Sequence, residues 1–280
     1  MIIEFLFFSN TAHILCGITL IKGEVKMVNI GIVGCNGKMG HFVAEAVAQN
    51  PETKAFFGVD AFGESNYNFP VFRNFSEIKQ KPDAIIDFSN PAVLDDMLDY
   101  AVENSVPCVI CTTGYSAEQV EKIKSASEKI AVFYSGNMSL GINLLIELTK
   151  EAAKVLGNSF DIEIVEKHHN LKVDAPSGTA LMIADGISEV LNEEPQYVYD
   201  RHSYRKKRSK NEIGIHSVRG GTIVGEHEVI FAGHDEVITV SHQAQSKEVF
   251  AVGAVNAAAF LASQKAGMYN MGNLLSDKMG

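Results

Sequence analysis

Residues 28–49 constrain the fold more than any other stretch. Val28-Asn29-Ile30-Gly31-Ile32-Val33 reads as a short buried strand, and Gly34-Cys35-Asn36-Gly37-Lys38-Met39-Gly40 as a glycine-rich turn. His41 to Gln49 then carries helical periodicity. A strand that passes through glycines into a helix is the phosphate-binding opening of a dinucleotide fold. Its backbone can approach a pyrophosphate, and the helix N-terminus offers free amides and a positive dipole end. The spacing is G-x-x-G-x-x-G rather than G-x-G-x-x-G, so context has to decide. Lys54 to Val59 makes a second strand ending in Asp60, twenty positions beyond Gly40, where an acidic side chain meets adenosine ribose hydroxyls. Gly34, Cys35, Asn36, Gly37, Lys38, Met39 and Asp60 are therefore candidate ligands for a dinucleotide cofactor.

The alternation continues. Ala84 to Ser89, Val106 to Cys111 and Ile130 to Tyr134 read as strands, separated by helices from Pro91 to about Glu103 and from Ala117 to Ser127. The fold class is α/β, opening with a Rossmann-like doubly wound parallel sheet whose ligands lie outside the strands' carboxyl ends. Asp87-Phe88-Ser89, Cys111, Thr112 and Thr113, and Ser135, Gly136, Asn137 and Met138 occupy such loops, expected on the nicotinamide side. Cys108 and Cys111 form a nominal C-x-x-C, but alternation along a strand separates their thiols. With Cys16 and Cys35 they show no zinc or disulfide spacing, so reduced thiols in a cytoplasmic protein are expected.

Ser139 caps a helix from Leu140 to about Leu156, and a second region follows. Phe160 to Val165, Ile213 to Val218, Thr222 to Phe231 and Glu236 to His242 read as strands, mostly without helices between them. That predicts a C-terminal α+β domain with an antiparallel or mixed sheet. Asp200 to Lys210 is rich in Arg and Lys, and such a run is ordinarily a solvated loop. With a net charge of −10, nucleic acid and anionic membranes are poor partners. Before Met27 the apolar runs are interrupted by Ser9, Asn10, Thr11 and His13 and are too short for a membrane span; with no preceding basic residue and no clear cleavage site, a signal peptide is weakly indicated too. Lys22-Gly23-Glu24 is what a purine-rich ribosome site would encode, so residues 1–26 are expected to be a non-native or disordered extension.

The chemistry concentrates in Glu166-Lys167-His168-His169-Asn170-Leu171-Lys172-Val173-Asp174-Ala175-Pro176-Ser177-Gly178-Thr179-Ala180. A helical pattern follows through Leu191, with Ser177 and Thr179 as start signals. Two imidazoles, a lysine, a hydroxyl and free helix amides can all donate to an anion. That suits an acidic substrate that must be protonated. A His-His pair is by itself more often surface or core than catalytic. On extended backbone the two rings point apart, so one metal would be chelated poorly and no metal is expected.

The whole string E-x-H-H-x-x-K-x-D-x-P-S-G-T-A resembles the signature of the 4-hydroxy-tetrahydrodipicolinate reductase family. Lys38-Met39-Gly40, Val218-Arg219-Gly220-Gly221 and Ile223 to His227 are similar to that family too, from about Met27 onward. The resemblance implies NADH- or NADPH-dependent reduction of a cyclic dicarboxylate with loss of water, in the diaminopimelate and lysine route. It also implies a homotetramer built through the second sheet. The helix from Ser246 to Ala262 would pack back on the first domain, giving a dinucleotide-binding domain of 27–138 plus 249–280. Residues 139–248 would then bind substrate and oligomerise. Hydride addition to a conjugated ring leaves electron density to be protonated, and Lys172 is the natural acid. His168 would assist, while His169, Gly178 and Thr179 would hold a carboxylate.

On cofactor choice, relatives that take NADPH well tend to carry Arg after the acidic residue, whereas this chain has Ala61. Lys38 is the nearby cation, so dual use with NADH favoured is expected. Three other readings stay open at this point. One is a different two-domain nicotinamide dehydrogenase, and another is a non-enzymatic dinucleotide-binding redox sensor. The third is a metal hydrolase using His168, His169 and Asp174.

Overall fold

A computed structural model describes residues 27–63, 67–203 and 205–279. The extension expected over residues 1–26 lies outside them. The first sheet is built from β1 (Val28–Val33), β2 (Thr53–Val59), β3 (Val71–Phe72), β4 (Ala84–Asp87), β5 (Cys108–Ile110), β6 (Ala131–Tyr134) and β12 (Gly267–Tyr269). Their order is β12-β6-β5-β4-β1-β2-β3, and every pairing is parallel. Helices α1 (Lys38–Gln49), α6 (Glu248–Leu261) and α7 (Met271–Met279) cover one face, and α2 (Leu94–Asn104) and α3 (Ala117–Ser127) the other. A sheet covered on both faces needs continuously apolar strands, and Ala84-Ile85-Ile86 in β4 is buried throughout. Cys108 packs into the core under α2 and α3, and Cys111 against the opposite core, so the two thiols stand on opposite faces.

The second sheet has the order β11-β10-β7-β9-β8, from β7 (Asp161–His168), β8 (Gln196–Val198), β9 (Glu212–Arg219), β10 (Gly225–Ala232) and β11 (Val237–Ala244). β10 runs antiparallel to β7 and β11, while β9 runs parallel to β7 and β8, so the sheet is mixed. Helices α4 (Leu140–Leu156) and α5 (Gly178–Ser188) lie on one face. There Leu145, Ile183 and Ile187 meet Ile162, Ile164, Ile215 and Phe231. Each such fully buried side chain contributes roughly 1.5–3 kcal/mol. Ser139 caps α4 by accepting from Ile142 N at 3.3 Å, and Ser177 caps α5 by accepting from Ala180 N at 3.1 Å.

Several boundaries differ from expectation. α1 begins at Lys38 rather than His41, so Lys38, Met39 and Gly40 form its first turn. β7 runs on to His168, so Glu166, Lys167 and His168 are strand rather than loop. The strand expected from Thr222 begins at Gly225, after a turn. β3, β8, β12 and α7 were not expected. The three strands have only two or three residues, too few to show a period.

Candidate active site

Backbone builds the first half of the site. Gly34 has φ +77°, and a Cβ there would sit 2.7 Å from Phe88 O. At Gly40 a Cβ would lie 2.2 Å from Gly34 O, so only glycine lets α1 pack onto the turn. The turn fits a dinucleotide pyrophosphate on these grounds. Gly34 N donates to Val59 O at 2.8 Å, tying the turn to the end of β2. Asp60 follows there, and its carboxylate accepts from Asn36 N at 3.0 Å and from Phe62 N at 3.1 Å. A cavity of about 350 Å³ opens beside it, lined by Gly34, Gly37, Asp60, Arg73, Ser89 and Asn90, among others. The loop after β4, expected near the nicotinamide, thus borders the same cavity as Asp60.

Not every candidate side chain faces this half. Cys35 is fully buried in the core, where burial and then the charge of Asp60 push its thiol up to about 11. Met39 packs against the same core, and Met138 is buried in it. Lys38 and Thr113 are exposed. Thr112 accepts from Ser89 N at 2.9 Å and is buried beside Asp87. The thiol of Cys111 is pushed far up by burial and by Asp87, which makes it a poor nucleophile. Cys35, Met39, Cys111 and Met138 can therefore serve a cofactor through their backbone only.

The loop after β6 reaches the other half. Asn137 Nδ2 donates to Thr179 Oγ1 at 2.9 Å, while Asn137 Oδ1 accepts from Ser139 N at 2.8 Å. The loop after β6, expected on the nicotinamide side, is thereby joined to the first turn of α5, where Gly178 leaves its backbone exposed.

Side chains build the second half. Glu166 and His168 are two residues apart on β7 and share its buried face, with Glu166 fully buried. Arg219 grips that carboxylate bidentately, Nη1 to Oε2 at 2.8 Å and Nη2 to Oε1 at 2.7 Å. Ser177 N donates to Oε1 at 3.1 Å, and His168 Nδ1 lies 2.6 Å from Oε2. Burial pushes the Glu166 carboxyl up, but Arg219, Ser217 and His168 outweigh it and bring it down to about 2. His168 is shifted below the usual histidine range by burial, with Lys172 and Arg219 adding to it against Glu166.

His227 completes the cluster. Its ring meets that of His168 edge to face at 5.3 Å, and its Nε2 lies 3.1 Å from Ser177 Oγ. Ser177 Oγ also accepts from Ala180 N at 3.1 Å, so one hydroxyl links the cap of α5 to the His227 ring. Burial and the nearby His168 bring His227 down to about 4, so it stays neutral. Lys172 projects from the turn, half-buried and 2.9 Å from Asp174 Oδ1. Its ammonium holds the Asp174 carboxyl below the ordinary range. His169 is half-buried, just past the strand end. His168, Lys172, Gly178 and Thr179 thus lie around one strand–turn–helix unit, and Thr179 touches the loop after β6.

Family models covering both halves match. One, for the N-terminus of dihydrodipicolinate reductase, covers residues 28–138, and one for its C-terminus covers 141–275. This chain belongs to the dihydrodipicolinate reductase family. A 4-hydroxy-tetrahydrodipicolinate reductase from Caldanaerobacter subterraneus is 55% identical over 249 residues, covering 89% of this chain and 98% of that protein. One of the same name from Clostridium tetani is 48% identical over 250 residues, with the same coverage. A solved dihydrodipicolinate reductase from Paenisporosarcina, bound to dipicolinate, is 26% identical with a TM-score of 0.72. The match covers 87% of this chain and 97% of that one.

In this family member, sequence reasoning gave no role to Glu166, Arg219, His227 or Arg73. Glu166 carried a usable signal, its i, i+2 spacing from His168 on a strand. Arg219 and His227 reach the cluster through pairing, Arg219 opposite His168 and His227 opposite Glu166. Arg73 follows Phe72, which pairs with Val59, so it stands beside Asp60. No local pattern announces such neighbours.

Proposed function

We propose a division of labour for the reaction. As a family member the chain is an NAD(P)H-dependent oxidoreductase. It converts 4-hydroxy-tetrahydrodipicolinate, a small dicarboxylate, to tetrahydrodipicolinate with loss of water, in diaminopimelate and lysine biosynthesis. The nicotinamide supplies the hydride. In our reading the glycine turn and Asp60 hold the adenosine and pyrophosphate end, and residues 111–113 and 135–138 flank the nicotinamide. Lys172 acts as the general acid, and His168 shares in proton transfer. His169, Gly178 and Thr179 hold a substrate carboxylate at the N-terminus of α5.

The observation that carries this reading is the hydrogen bond from Asn137 to Thr179, which ties the nicotinamide-side loop to the carboxylate-binding turn. Residues 27–138 with 249–280 act as the dinucleotide domain, and 139–248 as the substrate and assembly domain. We take the working form to be a cytoplasmic homotetramer. The open face of β11, which carries the exposed Val237, Thr239 and Ser241, is suited to pack against a second copy.

At the adenosine end, Arg73 is better placed than Lys38 to answer a 2′-phosphate, and it supports dual use of NADH and NADPH. A coupled assay tests the whole reading. With enzymatically generated substrate, nicotinamide absorbance falls only when both substrate and enzyme are present. No oxidation of either cofactor would overturn it.

A further inference from the structure

The buried pair Glu166–Arg219 decides which nitrogen of His168 can act. The Glu166 carboxylate, clamped by Arg219 and by Ser177 N, has only acceptor capacity. At 2.6 Å it therefore takes a hydrogen bond from His168 Nδ1, so Nδ1 carries the proton. Nε2 is left with its lone pair. It has no hydrogen-bond partner among the described residues, and the missing Cβ of Gly225, which would lie 3.1 Å away, leaves its approach open.

The charged and titratable groups around the ring all disfavour a resting imidazolium except one. Lys172 from the turn and Arg219 from β9 are cationic, and His227 from β10 is neutral, with His242 of β11 behind it. Only Glu166 favours the charged ring. The resting ring is thus a base, backed by a carboxylate that stabilises it once it has taken a proton.

We propose that Glu166 is a positioning residue that makes His168 a proton acceptor, and that this pair drives the water-loss half of the reaction. The inference rests on the reductase reading above. In the hydroxylated tetrahydropyridine, one ring C–H lies between the imine carbon and the carbon bearing the hydroxyl. His168 Nε2 takes that proton, and the C–H electron pair becomes a ring double bond. The C–O bond breaks, and the hydroxide leaves as water with a proton from Lys172.

No redox change occurs in this step. His168 ends as imidazolium and Lys172 as amine. After hydride has reached the former hydroxyl carbon, the same ring carbon recovers a proton from His168, and Lys172 is recharged from water. One proton is consumed overall. The sequence gives His168 and Lys172 opposite starting states, which a single shared role as acids does not.

Two measurements test this. In wild-type enzyme with ¹⁵N-labelled histidine, His168 at neutral pH should show a protonated Nδ1 and an unprotonated Nε2. A protonated Nε2 with a bare Nδ1 overturns the inference even if reductase turnover is normal. The second uses substrate in D₂O without nicotinamide, following deuterium uptake at the ring carbon. Glu166→Gln should slow uptake by roughly 10²-fold, while affinity for pyridine-2,6-dicarboxylate stays within threefold.

Glu166→Asp, which keeps the charge, should recover part of the rate and the acid limb of its pH profile. Unchanged uptake in Glu166→Gln at unchanged dicarboxylate affinity overturns the proposal. If Glu166→Gln does not fold, the nitrogen measurement on wild type and Glu166→Asp still decides it. Loss of wild-type cofactor oxidation would instead sink the reductase reading itself.

Discussion

Two carboxylates stand at the ends of strands in the two halves of the site, and they are held in opposite ways. Asp60 is half-exposed and accepts from two backbone amides, Asn36 N and Phe62 N. Glu166 is sealed from solvent and gripped by a guanidinium. The first shapes a turn and leaves its charge to be tuned by neighbours in an open cavity. The second sits where an unpaired charge is costly, so its partners are obligatory. Changes around Asp60 should therefore adjust cofactor preference in small steps, whereas changes around Glu166 should break stability or chemistry.

The largest effect is expected on rate in the substrate half. Lys172→Ala should lower kcat by roughly 10²–10⁴, the span for losing a positioned acid. His168→Ala should act in the same direction, and His169→Ala should mainly raise the substrate KM. With Lys172 and His168 in one proton-transfer sequence, as proposed, the double variant should lose less than the product of the singles. Steady-state kinetics checks this, and multiplicative losses would separate their roles.

Next comes stability. Arg219→Ala leaves the sealed Glu166 without its cation, and breaking such a pair costs about 3–5 kcal/mol. Denaturant unfolding should register that loss. Lys122→Ala, at an exposed pair with Asp95, should move the midpoint little.

The pH dependence follows from the same cluster. His227 has its folded value depressed from 6.5 to about 4, so its contribution is complete above about 6.5. It is lost as pH falls toward 4, by roughly 3 kcal/mol in all. Glu166, depressed from 4.5 to about 2, adds a second loss between those values. Melting temperature against pH should thus fall in two stages, and His227→Gln should flatten only the upper one.

How much of this was legible in the sequence depends on range. The strand–glycine–helix opening, the caps at Ser139 and Ser177, and the helices Ala117–Ser127 and Leu140–Leu156 follow local rules and lie where they were expected. His168 and Lys172 were legible because they stand in one continuous string. Arg219 and His227 were not, since a one-residue slip of β9 or β10 would send either side chain to the other face. Lys38 was taken for the adenosine-side cation because it is close in sequence. Arg73, thirteen residues beyond Asp60, stands beside it only through β3, a two-residue edge strand that shows no period in the sequence.

The choice between Arg73 and Lys38 yields the smallest effect. Arg73→Ala should weaken NADPH relative to NADH by about tenfold, the worth of ~1.4 kcal/mol. Lys38→Ala should change the ratio less. Dissociation constants for the two cofactors check both, and a larger change from Lys38→Ala would return the 2′-phosphate to the glycine turn.

The division between halves is tested most directly on a single Lys172→Ala sample. Its affinity for NADH, by fluorescence titration, should stay within twofold of wild type while turnover falls by at least 10²-fold. A loss of NADH affinity in proportion to the loss of turnover would contradict the account, because Lys172 would then belong to the cofactor half.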